Sequence, residues 1–76
     1  MAKLYLGTVT AFDAERGIGS VTKPGSGTWP FHCTAISDGS RTIAVGAPVV
    51  FLIGAGHLGK EEARVVTRLG TGPSRN

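Results

Sequence analysis

Glycine and proline constrain this chain more than any other feature, since 12 of its 76 residues are glycine and four are proline, where glycine ordinarily makes up about 7% of a protein. Glycine weakens helices and takes the positive φ of tight turns readily, and proline removes a backbone donor. Short strands joined by tight turns are therefore expected, not long helices. Hydrophobic residues at 41% against 17% charged fit a folded domain, and neither disorder nor a membrane composition. A chain of 76 residues makes one small domain with a single core, burying about 60% of its unfolded surface.

Between the turn signals the residues read as five strands. Leu4 to Phe12 alternates apolar and polar residues and is rich in β-branched and aromatic types, the pattern of a half-buried strand. Asp13-Ala14-Glu15 is a polar turn, Gly17 to Thr22 a second strand, and Lys23-Pro24-Gly25-Ser26-Gly27 a strong turn signal. Thr28 to Cys33 is a third strand, with Pro30 demanding an edge or a bulge. Thr34-Ala35-Ile36 reads as one helical turn and Ser37 to Ser40 as a loop, and the apolar run Pro48 to Ile53 and Lys60 to Leu69 complete the set. Five short strands of this kind predict an all-β, small, closed antiparallel barrel, in which closure removes exposed strand edges. The domain is expected over residues 1–69, with 70–76 a flexible tail.

The net charge of +3 and pI near 9.6 suit a polyanionic partner without demanding one. A single cysteine, Cys33, excludes an intrachain disulfide and fits a reducing compartment. No secretory signal is visible in Met1 to Gly7. The apolar-rich stretch Ile43 to Gly56 has 14 residues and is broken by Pro48 and three glycines, too short to span a bilayer. A cytoplasmic protein without a membrane segment is the expectation.

Two glycine motifs compete for functional meaning. Arg16-Gly17-Ile18-Gly19-Ser20-Val21 places a cation and two strand glycines as in an RNA-recognition signature, where glycines admit bases close to the sheet and aromatics stack on them. Val50 to Gly59 is an apolar strand running into G-x-G-x-x-G, the pattern of a dinucleotide-binding turn. Only 17 residues follow Gly59 and none after Glu62 is acidic, so no ribose-binding carboxylate on a second strand is available. These glycines are better read as the connection between strands four and five.

No catalytic set emerges. His32, Cys33 and His57 lack metal-ligand spacing. On a strand, His32 and Cys33 would point to opposite faces and not pair as imidazole and thiol. Asp13 and Glu15 sit in a turn beside Arg16, where a surface salt bridge is expected and not acid–base chemistry. Neither an enzyme, a metal nor a cofactor is expected.

Over about residues 3 to 68 the order of motifs resembles the cold-shock domain family. The likeness is carried by Gly7-Thr8-Val9 and Phe12, by Arg16-Gly17-x-Gly19, by Phe31-His32-x-Thr34-Ala35-Ile36, and by Arg41-Thr42-Ile43, Gly46, Val49, Phe51 and Ala63. The resemblance implies an OB-type barrel that binds single-stranded RNA or DNA. It also exposes a departure: the family's exposed aromatics fall at positions that here are Ala11, Ile18, Ser20, Pro30, Cys33 and Ser40. Base stacking contributes about 1 to 3 kcal/mol per aromatic, so six losses remove about 6 kcal/mol, or four decades of affinity, even at the low end. What remains is a weak, mainly electrostatic binder, with Phe12, Arg16, Ile18, Lys23, Trp29, His32, Arg41 and Lys60 as contacts. The alternative is a barrel whose nearly uncharged face of Ile18, Pro30 and Cys33 binds a protein partner or a second copy instead.

Overall fold

The computed structural model describes residues 3–55 and 60–69; the expected tail at 70–76 and the Gly56–Gly59 part of the G-x-G-x-x-G run lie outside them. The five expected strands are present as β1 (Tyr5–Asp13), β2 (Ile18–Lys23), β3 (Gly27–His32), β4 (Pro48–Ala55) and β5 (Glu61–Arg68), with a short 3-10 turn, η1 (Cys33–Ala35), after β3. They form one antiparallel sheet in the order β3-β2-β1-β4-β5. Strand β1 lies at the centre because its N-terminal half pairs with β4 and its C-terminal half with β2.

The sheet curls around a core of Val9, Val21, Phe31, Ile36, Ile43, Val49, Phe51, Ala63 and Val66. Strand alternation explains most of this set: Val9 pairs with Val21 and Val21 with Trp29, while Gly19 pairs with Phe31, so one face of the meander is apolar throughout. Gly19 is required there because a Cβ would sit 2.7 Å from both the Ala11 carbonyl and the Phe31 ring. Gly7 likewise lets β1 approach the Thr22 carbonyl, 2.5 Å from where a Cβ would stand.

The expected closed barrel is not reached. Strands β3 and β5, the two edges, share no ladder. They meet instead through side chains, with Trp29 Nε1 donating to Glu61 Oε1 at 3.3 Å, while the segment after η1 adds one parallel bridge to β5, Ile36 to Val66, where Ser37 N–H donates to the Val66 carbonyl at 2.8 Å. Pro30 in β3 has no N–H, so β3 lacks the unbroken row of donors that a closing ladder needs.

Two bulges redirect side chains. In β1 the register slips between Val9 and Ala11, leaving Thr10 and Ala11 both exposed while Phe12 returns to the inner side opposite Gly19. In β5, Leu52 faces Arg64 and Val50 faces Thr67, so Val65 and Val66 together oppose one residue. Val65 takes the left-handed φ of 52°, unfavourable for a β-branched residue, and Val66 is thereby fully buried.

Candidate nucleic-acid interface

The outer face of β1, β2 and β3 follows from the same register. Ala11 pairs with Ser20 and Ser20 with Pro30, and the next row joins Asp13, Ile18 and His32. Ile18, Pro30 and His32 are exposed and Ser20 is half-buried. These positions, separated by up to 21 residues of chain, form one continuous surface of small or flat side chains.

The expected contact residues do not all share that surface. Ile18 and His32 are on it. Phe12 is half-buried and stacks on Phe31, with ring centroids 6.0 Å apart and 23° between planes. Trp29 is half-buried against Tyr5 and Phe51, at 6.0 and 5.9 Å, with its indole N–H on Glu61; it fills the β3–β5 seam. The cations divide between two ends. Arg16, in the turn before β2, and Arg41, in the loop before β4, lie near η1 and line one cleft. Lys23 closes β2 at its other end, and Lys60 precedes Glu61, the partner of Trp29. The six residues of β2 separate these ends by about 20 Å.

Each end is held by its local chemistry. Asp13 Oδ1 accepts from the Glu15 and Arg16 amides at 3.1 and 3.3 Å, and its Oδ2 lies 3.9 Å from Arg16 Nε, the expected surface salt bridge. Gly17 adopts φ 68°, and a Cβ there would press within 2.9 Å of Cys33 Sγ, so glycine permits both the turn and its packing on η1. In the loop before β4, Asp38 accepts from the Ser40 amide at 2.9 Å and from Arg68 Nη2 at 3.0 Å. The Ser40 hydrogen bonds, with smaller help from Arg68, hold its carboxyl below the ordinary aspartate value.

Two features of the site were not foreseen. Cys33 begins η1 and does not continue β3, so its Sγ comes within 3.9 Å of His32 Nδ1, against the expectation of opposite faces. That ring nitrogen also accepts from the Thr34 amide at 3.3 Å and meets its hydroxyl at 3.1 Å. Beside the small-residue surface runs a hydroxyl row, Thr10 to Thr22 at 3.1 Å and Thr22 to Thr28 at 2.8 Å. Threonine is an ordinary strand residue, and only the cross-strand register shows that these three meet. The arrangement offers hydroxyl donors and acceptors, one exposed imidazole and cations at both ends, with no exposed aromatic on the small-residue rows. The chain matches no protein-family model and no curated protein sequence.

Proposed function

We propose that the protein binds single-stranded RNA or DNA weakly across the outer face of β1, β2 and β3, mainly through phosphate contacts, and that its sheet is a divergent cold-shock-type barrel of the OB kind. The observation that carries this reading is the placement of Arg16 and Arg41 at one end, and Lys23 and Lys60 at the other, of a surface of small residues on which Asp13 and the neighbouring Glu62 are the carboxylates. Barrels of the OB type are partly open and bind oligonucleotides on strands two and three and on the loops between strands one and two and between four and five; Arg16 and Lys60 stand at those two loops. Side-chain hydroxyl contacts from the Thr10, Thr22 and Thr28 row to the nucleic-acid sugar-phosphate backbone would supplement the cations.

Titrating a short oligonucleotide at low salt, with Trp29 fluorescence and backbone amide shifts as readouts, tests the reading. The expected result is shifts centred on β2 and β3 and an affinity that falls with salt by a log–log slope of about −0.7 for each phosphate contacted. No change at millimolar strand overturns it. A protein-binding role is favoured by one other observation: Leu4 and Leu6 are 64% and 58% exposed, and Leu6 pairs with half-buried Val50 on the outer side of β1 and β4. Concentration-dependent sedimentation would support self-association through that face.

A further inference from the structure

Between the β1–β2 turn and the loop ahead of β4 lies an open cleft of about 500 Å³. Its floor is Gly17, Cys33 and Ile36, and its rim carries Arg16 from one segment and Arg41 from the other. We propose that this cleft is a phosphomonoester site, taking the terminal phosphate of a nucleic-acid strand or of a free nucleotide. The proposal rests on the nucleic-acid reading for the strand-end source and deepens it by assigning one end of the interface a chain-end ligand.

Charge and geometry argue for a dianion over the singly charged diester of a strand interior. Arg16 and Arg41, from different segments, line one cleft, and planar guanidinium donors match phosphate oxygens in pairs. A phosphomonoester carries about −1.5 to −2 charges near neutral pH, which two arginines balance and a diester would not. Local pairing leaves both arginines with capacity. Arg16 is 75% exposed and its ion pair with Asp13 is long, at 3.9 Å, through Nε. Arg41 makes no ion pair among the described residues. Asp38, the acid nearest Arg41 in sequence, is already taken by the Ser40 amide and by Arg68, which ties the loop to β5 and fixes the base from which Arg41 projects. Glu15 also lines the cleft and Asp13 flanks Arg16 from outside it, so the cations lining the cleft outnumber its lining carboxylate two to one while the flanking acid keeps binding weak.

Size and lining agree. Small-molecule sites commonly enclose about 300 to 1,000 Å³, with apolar walls and a few convergent polar groups. The cleft is of that order, and Ala14 and Ile36 offer apolar surface beside the Ser40 and Thr34 hydroxyls, room for one sugar or base behind the phosphate. A track of diesters needs no such recess.

Cys33 supplies a reporter inside the site, being half-buried and part of the lining. The full chain is alkylated with iodoacetamide in the presence and absence of a nucleoside monophosphate, and the same oligonucleotide is titrated with a 5′-phosphate, with a 3′-phosphate and with hydroxyl ends. We expect the nucleotide to slow Cys33 alkylation several-fold, one phosphorylated strand to bind about tenfold tighter than the hydroxyl-ended strand, and Arg16→Ala and Arg41→Ala each to bring that ratio close to one. Protection by the nucleotide without a strand-end preference assigns the site to free nucleotides. Unchanged alkylation together with equal affinity of all three strands overturns the proposal. Binding of the hydroxyl-ended strand reads the interface separately, so its absence with Cys33 still protected counts against the nucleic-acid reading and not against the cleft.

Discussion

On its inner face the β1–β2–β3 meander carries Val9, Val21 and Phe31, each no more than 1% exposed, whereas the outer face of the same strands carries Ala11, Ile18, Ser20, Pro30 and the hydroxyl row. Successive residues of one strand therefore answer to different constraints. The inner residues must fill a fixed volume at crystal-like density, so their shape is dictated. The outer residues meet solvent, and exchanging them changes recognition far more than stability. A sheet of this design can keep its fold while its surface chemistry is replaced.

The largest test of this contrast is on the inner side. Phe51→Ala removes a side chain with no solvent exposure and should cost about 3 to 5 kcal/mol, against a total stability of about 4 to 11 kcal/mol for a domain of this size; urea unfolding would show the midpoint collapse. Gly19→Ala should cost about 1 to 3 kcal/mol by overpacking against the Ala11 carbonyl and Phe31. By contrast Gly25→Ala, with nothing within 4 Å of the new Cβ, should cost only about 1 kcal/mol through its φ of 81°. Equal losses at Gly19 and Gly25 would show that packing does not set the inner face.

On the outer side, Ser20→Phe should leave the unfolding midpoint nearly unchanged and tighten oligonucleotide binding by about 1 to 3 kcal/mol, or 5- to 150-fold. An unaltered affinity would separate this surface from binding altogether. Val65→Asn, at an exposed position with φ 52°, should stabilise by about 1 kcal/mol, because asparagine tolerates the left-handed region and no core contact is lost. The smallest effect is a pH dependence. Asp38 has a depressed value in the folded chain, so its contribution is present above the ordinary aspartate range and is lost as pH falls through the folded value, below about 4. An Asp38→Ala chain should show a flatter acid limb in stability measured from pH 5 to 2.

Much of the fold was legible from the residues. Strand positions agree with the reading to within about two residues, because alternation and turn glycines are local signals. Phe31 is buried between exposed Pro30 and His32, as strand alternation requires, and the Asp13–Arg16 pair followed from their spacing in one turn. The site was legible only in part. Phe12 and Trp29 read as aromatic contacts, and that each is half-buried against the core was not legible, since the β1 bulge and the β3–β5 seam decide where they lie. Cys33 and His32 come together because the strand ends one residue earlier than its residue types suggest.

By itself the sequence determined five strands, the apolar stripe along each and the turns between them, since these depend on neighbours within a few residues. Tertiary structure alone decided the bulges at Thr10 and Val65, the open seam between β3 and β5, the meeting of Thr10, Thr22 and Thr28, and the convergence of Arg16 and Arg41 on one cleft. Each depends on cross-strand register and edge geometry, which are fixed only when the whole core packs and a one-residue slip would reverse every face.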